Sequence, residues 1–241
     1  MFRSFNLSSP LQKTTTFSVL SILATLSLVG CTSPKTPEAQ VEPSTSQTQV
    51  STQTNSPTLE NLQKAYNGES NAHVMYVAFA KKADEEGYKQ VGTLFRAAAK
   101  AEEIHRDNHA KVIEAMGAVP KNNITNPEVK STADNLEKSL GGNLSAAIKG
   151  ESYERDTMYP KFIKQAETEG NQAAVQTFDY ALAAETQHAQ LYNEANQNLE
   201  SWRDKTHPFY VCKVSGETAM DKTAMTNCPP VETGESYIEI N

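Results

Sequence analysis

Glu102 and His105 form a Glu-x-x-His pair, and Glu185 and His188 form a second. On a helix, residues three apart share a face, so the carboxylate and the imidazole of each pair can reach one ion. A single pair of this kind usually belongs to a solvated face. Here each copy follows a lone glutamate: Glu69 stands 33 residues before Glu102, and Glu151 stands 34 residues before Glu185. One Glu from each of two helices, with a Glu-x-x-His from each of two others, is the donor set of a carboxylate-bridged metal pair in a four-helix bundle. Electrostatics asks for the same. Glu69, Glu102, Glu151, Glu154 and Glu185 would bring up to five negative charges into one core, where an uncompensated ion costs several kcal/mol. Two divalent cations offset most of that charge, and without them several of these acids are expected to hold protons. Hard carboxylates with imidazole suit iron or manganese, with zinc as a substitute.

The elements that must position these residues show as stripes. Leu62, Ala65, Tyr66, Glu69, Ala72, His73, Tyr76, Phe79, Ala80 and Ala83 recur at helical spacing and predict a first helix from Thr58 to Glu86, ended by Gly87. Val91, Leu94, Phe95, Ala98, Glu102, His105, His109, Val112 and Met116 predict a second, antiparallel helix up to Gly117. Residues 120–142, punctuated by Pro, Asn and Gly, are long enough to cross the bundle from end to end. Leu144, Ala147, Glu151, Glu154, Met158, Phe162 and Ala166 predict a third helix before Gly170. Val175, Phe178, Leu182, Glu185, His188, Tyr192 and Leu199 predict a fourth, fading near Trp202. The fold class is therefore all-α: two helical hairpins joined by a long crossover. The hairpins repeat one another, because Gly68-Glu69-Ser70 returns as Gly150-Glu151-Ser152 and Glu102/His105 returns as Glu185/His188 at nearly constant offset. This points to a duplication with an approximate twofold axis.

The 241 residues carry a net charge of −7, which argues against nucleic acid as a partner. The apolar fraction, 38%, is low for a globular chain, and the N-terminal quarter explains it. Residues 1–30 combine Arg3 and Lys13 with an uncharged run from Thr14 to Gly30, the pattern of an export signal, too short and too rich in Ser and Thr for a membrane span. The run ends in Leu28-Val29-Gly30-Cys31, which resembles the bacterial lipobox. That resemblance implies cleavage before Cys31, lipidation of its thiol and attachment to the outer side of a membrane. The stretch 31–57 follows as a tether: 19 of the 26 residues from Thr32 to Pro57 are Ser, Thr, Pro or Gln, a composition that cannot offset its ordering entropy.

Leu59-Glu60-Asn61-Leu62, Gly68-Glu69-Ser70 with Tyr76, Glu86-Gly87-Tyr88, Glu102 with His105, Gly150-Glu151 with Glu154, Met158-Tyr159-Pro160 and Glu185 with His188 together resemble the rubrerythrin family. The likeness runs from about Thr58 to Tyr192. It implies a ferritin-like bundle over 58–202 holding two iron ions, with manganese or zinc as substitutes. Glu102 and Glu185 would bridge, Glu69 and Glu151 would be terminal ligands, and His188 would serve the second iron. His105 and Glu154 would exchange at the first iron as its oxidation state changes. Glu154 breaks the repeat, since Ala72 holds the matching place in the first hairpin. Tyr76 and Tyr159 match tyrosines that orient the ligand carboxylates. His73 and His109 stand one turn beyond Glu69 and His105; the family does not use these places as ligands, so structural or rim roles are expected. His207 has no evident partner.

The tail, 203–241, resembles a rubredoxin module in Tyr210-Val211-Cys212-Lys213-Val214-Ser215-Gly216 and in Cys228-Pro229-Pro230-Val231. Rubredoxin iron needs two Cys-x-x-Cys knuckles, and Ser215 and Val231 stand at the second position of each. No rubredoxin iron is expected, and Cys212 and Cys228 remain as a pair that an oxidising compartment would allow to join. By resemblance the chain is a peroxide reductase that consumes hydrogen peroxide with electrons from an external donor. A ferroxidase or iron-sequestering protein, and a non-catalytic metal-bound interaction module, are the competing readings. A homodimer accords with the family.

Overall fold

The computed structural model describes residues 56–134, 141–203 and 207–241. The expected export signal, the lipidation expected at Cys31 and all of the expected 31–57 tether except Ser56 and Pro57 lie outside the described residues; those two residues instead start the first helix. Helix α1 spans Pro57–Glu85, one residue earlier than the stripes predict, because Ser56 caps it: the Ser56 hydroxyl accepts from the Leu59 amide at 3.0 Å. Pro57 occupies the first turn, where its missing N–H has no partner to lose. Gly87, at φ 82°, reverses the chain into α2, Lys89–Ala115. The third predicted helix is real but interrupted. It runs as α3, Asn143–Tyr153, a π-helical turn, Glu154–Met158, and α4, Tyr159–Thr168. Pro160 gives the physical reason, since it cannot donate to the carbonyl one turn back and its ring crowds that carbonyl; the wider turn just before it relieves both. Helix α5 spans Gln172–Gln197, capped by Asn171, and a short α6, Leu199–Trp202, follows.

The crossover is zipped to α1. Gln63, Asn67 and Asn71, four apart on one face, bond the backbone at Val119 and Lys121, at Asn123, and at Asn123 and Thr125 respectively. Further along, the Thr132 amide donates to Glu86 at the far end of the same helix. The connection thus carries the chain from the end of α2 back along the bundle, which starts α3 at the correct end.

Two apolar clusters fill the bundle. One gathers Tyr76, Phe79, Leu94, Phe95, Leu144, Tyr192 and Trp202; the other gathers Leu59, Leu62, Ile113, Tyr159, Ala166 and Phe178. Every long helix passes from one cluster to the other, and between the two each contributes buried acids or histidines. The C-terminal tail forms a three-stranded antiparallel sheet, order β2-β1-β3, from β1 (Phe209–Cys212), β2 (Thr218–Ala219) and β3 (Tyr237–Ile240). Tyr210 faces Ala219 on one side and Glu239 on the other. A disulfide joins Cys212 to Cys228. Phe209 and Val211 pack into the first cluster, fixing the sheet on the bundle. No described helix is long and apolar enough to cross a membrane.

Candidate metal centre

Four helices deliver the polar layer. Glu69 comes from α1, Glu102 and His105 from α2, Glu151 from α3, and Glu185 and His188 from α5; all six are buried, none more than 1% exposed. They form two groups, Glu69, Glu102, His105 and Glu185, and Glu102, Glu151, Glu185 and His188, with the donor atoms of each group within 4.8 Å of one another. Glu102 and Glu185 belong to both, the position a bridging carboxylate requires. Glu154 opens the π turn, half-buried and outside both groups, yet close enough that its charge is felt with those of Glu69, Glu151 and Glu185.

The hydrogen bonds leave a cation-shaped deficit. Tyr76 donates to one oxygen of Glu151, and Tyr159 donates to one oxygen of Glu69. His105 Nδ1 lies 3.0 Å from Glu102 and 3.1 Å from Glu185. His188 Nδ1 lies 2.8 Å from Glu185, 3.4 Å from Glu102 and 3.5 Å from Glu151. A ring nitrogen carries at most one proton, so these contacts cannot all be hydrogen bonds. One oxygen each of Glu69, Glu102, Glu151 and Glu185 is buried with no hydrogen-bond partner. Native proteins rarely leave such atoms orphaned, because each costs about 1–3 kcal/mol or more when charged. Two cations at the two groups would engage all four oxygens and both Nδ1 atoms, so the residues fit a metal pair.

The far nitrogens of the histidines are held by the tail. His105 Nε2 stands 3.0 Å from the Ser215 carbonyl, which can only accept, so Nε2 carries a proton. His188 Nε2 stands 3.1 Å from the Thr218 hydroxyl, whose own proton goes to the Gly216 carbonyl, so this Nε2 also donates. Both rings thereby aim Nδ1 at the acids as the ligating atom. Gly216 permits the approach: its φ is 78°, and a Cβ there would fall 2.2 Å from His105 Nε2. Glu217, buried, accepts from Gln187 on α5 and from the Thr226 and Asn227 amides, tying the loop to the bundle and to the rest of the tail.

Metal-free, the layer fills with protons. Burial, with the charges of Glu102 and Glu185, pushes Glu69 well up; burial and Glu185 push Glu151 up to about 8, and Glu154 rises for the same reasons. Burial alone would depress the two histidines, but the acids facing them reverse it, raising His105 to about 10 and His188 upward. Burial also works against Glu185 as an anion, and the same two histidines override it and hold this carboxyl low.

His109 is not at a rim. It is fully buried, its Nε2 3.2 Å from the Tyr159 hydroxyl and its Nδ1 3.0 Å from the Thr177 hydroxyl, and burial presses its pKa down to about 3. Its place on the α2 stripe was visible in sequence; its partners come from two other helices and were not. His73 lies away from the layer, bonded to the Ala99 carbonyl at 2.7 Å. The backbone of His207 exchanges hydrogen bonds with the Gln90 side chain. The contacts of Ser215, Gly216 and Thr218 with the two histidines escaped the sequence reading, since nothing in the tail's composition says where it docks, and Thr177 on α5 was missed because a threonine on a helix carries no signal of its partner.

The rubrerythrin family model matches residues 60–196. Rubrerythrin-2 of Clostridium acetobutylicum is 34% identical over 176 residues, covering 73% of this chain and 91% of that protein. Nigerythrin of Nitratidesulfovibrio vulgaris is 41% identical over 160 residues, 66% of this chain and 74% of the relative. The solved structure of nigerythrin in its fully reduced, all-ferrous state superposes with a TM-score of 0.61 at 37% identity, over 68% of this chain and 77% of that one. The matched span contains every member of the two donor groups, on a ferritin-like bundle, and the chain belongs to the rubrerythrin family.

Proposed function

We propose that this chain is a di-iron oxidoreductase that reduces hydrogen peroxide to water, held on the outer side of a membrane by a lipid on Cys31. The observation that carries the catalytic part is the set of four orphaned carboxylate oxygens around two donor groups that share Glu102 and Glu185. Ferrous iron in a similar protein, the all-ferrous nigerythrin, supports iron as the metal. A ferrous pair supplies the two electrons that, with two protons, cleave the O–O bond of one peroxide into two waters.

The chain's own residues do the rest. Glu102 and Glu185 span the two positions. Glu69 with His105 completes one, and Glu151 with His188 the other. Tyr76 and Tyr159 hold the carboxylates of Glu151 and Glu69 in one orientation. Glu154, which opens the π turn, would exchange with His105 as the family resemblance implies. The apolar clusters above and below exclude water, which strengthens each of these contacts.

Re-reduction comes from outside the chain. Two knuckle positions are Ser215 and Val231 and the remaining thiols are joined to each other, so the tail offers no four-thiolate site. That same feature favours a ferroxidase as the second reading, because a centre without a donor turns over only while Fe(II) is supplied. Anaerobic loading with two Fe(II) per chain, followed by peroxide titration, separates the two. One peroxide consumed per pair, with catalytic turnover once a reductant is added, is expected. In a parallel titration with Fe(II) in excess of two per chain, Fe(III) accumulating beyond two per chain identifies the ferroxidase, and failure to bind two metals removes both readings. For the anchor, mass spectrometry of the protein from membranes should find acyl chains on Cys31, and Cys31→Ala should release it.

A further inference from the structure

We propose that Thr177, His109 and Tyr159 form a proton path into the centre, ending on Glu69; the inference rests on the peroxide-reducing function above. Along α2, Glu102, His105 and His109 follow one another on the inner face, and the next inward residue, Ile113, is already part of the apolar cluster. An imidazole buried at this depth costs stability unless both nitrogens are engaged, and an aliphatic side chain would fill the place without that cost. The ring lies among aromatic neighbours, 5.4 Å from Phe178 and 6.0 Å from Tyr159 between centroids. Groups facing it are Glu69 on α1, His105 on its own helix, Tyr159 on α4, and Thr177 and Glu185 on α5.

The hydrogen bonds read in one direction. Tyr159 gives its proton to Glu69, so the Tyr159 oxygen accepts from His109 Nε2, which fixes that nitrogen as the protonated one. His109 Nδ1 then carries the lone pair and accepts from Thr177. Every donor points inward. Thr177 retains 5% of its surface exposed while His109 has none, so the outer end of the chain is the one near water. A proton taken by Thr177 Oγ1 from water passes as a relay: Thr177 to His109 Nδ1, His109 Nε2 to the Tyr159 oxygen, Tyr159 to Glu69. One proton enters, one arrives, and no carrier changes charge. The imidazole ends as the other tautomer, protonated on Nδ1, and a further passage requires that proton to be exchanged for one on Nε2. Each passage supplies one of the two protons that a peroxide consumes.

Two measurements test this. In protein loaded with zinc, which is redox-inert, nitrogen NMR should find His109 neutral with its proton on Nε2; T177V should perturb that signal and T177S should keep it. A ring protonated on Nδ1, or on both nitrogens near neutral pH, overturns the proposal. In iron-loaded protein, H109Q keeps a donor and an acceptor but cannot relay. H109Q and T177V should each bind two metals and lower the rate of peroxide-driven oxidation by about tenfold or more, with a larger solvent deuterium isotope effect, and T177S should recover the rate. Variants with two bound metals, the wild-type rate and an unchanged isotope effect overturn the path while leaving the function intact. If the wild-type protein consumes no peroxide, the function itself fails, and the NMR result alone decides the path.

Discussion

His105 illustrates how a ligand is prepared by the atom that does not ligate. The Ser215 carbonyl fixes the proton on Nε2, which leaves Nδ1 to face Glu102 and Glu185. The same division holds at His188 through Thr218. In the metal-free protein Nδ1 is protonated as well, because the surrounding acids raise His105 to about 10, while Glu151 holds its own proton up to about 8. Protons therefore stand where cations would bind, and each must leave before the metal enters. The sign follows: lowering the pH refills these groups and weakens binding, whereas raising it toward 8–10 empties them and strengthens it. Zinc titrated into weakly buffered protein near pH 7 should release at least two protons per chain, and affinity should gain about tenfold per pH unit for each proton displaced. Binding without proton release, or affinity flat across pH 6–8, would show that the acids and histidines are not the ligands. The seven candidate ligands were legible because Glu, His and a spacing of three carry both donor chemistry and helical geometry; six of them converge in the structure. Glu154 was legible as an extra acid, but that it stays outside both donor groups was not, since its spacing of three from Glu151 puts it on the same helix face.

At the scale of elements, what sequence shows and what it hides divides by the kind of contact. The limits of the first hairpin's helices fell within a residue or two of the stripes because Gly87 and Gly117 end them and Ser56 caps the first, whereas α5 starts three residues before its first striped residue and ends at Gln197, short of Trp202, with a separate turn of helix after it. The π turn had one available signal, Pro160 inside an otherwise regular helix. The docking of the tail had none, since its contacts with the two histidines are a backbone carbonyl, an atom every residue possesses, and a single threonine hydroxyl. Within the tail, the disulfide and the Glu217 carboxylate hold together the loops that thiolate ligands would otherwise gather. That docking makes Gly216 a sensitive position. In G216A the new methyl would overlap His105 Nε2, and the φ of 78° disfavours any L side chain, so the loop must retreat. Removing an outer hydrogen-bond partner of this kind typically costs 10–100-fold in metal affinity. Two-site metal titration of G216A should show one site weakened by about that factor and the other little changed, with helical circular dichroism preserved. Equal affinities at both sites would mean the tail does not support the centre.

The described helical bundle is layered along its axis: an apolar cluster, a charged layer, and a second apolar cluster, each long helix running through all three. The duplication accounts for the layering, because two copies of one hairpin place equivalent acids at equivalent heights, and this much was readable from the constant offset of the repeats. That the crossover spans the bundle was readable from its length, but its docking along α1 was not, since it depends on Gln63, Asn67 and Asn71 bonding a backbone far away in sequence. The layering decides what metal removal does. The aromatic contacts of the first cluster, Tyr76, Phe79, Phe95 and Tyr192 with centroids 5.1–6.3 Å apart, do not involve the metal, and neither do those of the second around Tyr159 and Phe178. The metal-free bundle should therefore stay helical, with its central layer neutralised by protons. Metal binds only the folded state and stabilises it by mass action, about 2.7 kcal/mol when free metal exceeds Kd a hundredfold. For a domain of this size that corresponds to roughly 5–11 °C in Tm. Calorimetry of chelated and metal-loaded protein should find a shift of that order, increasing with free metal concentration, with unchanged far-ultraviolet circular dichroism at 20 °C. Loss of helix on chelation would instead mean that the charged layer, and not the two apolar clusters, holds the four helices together.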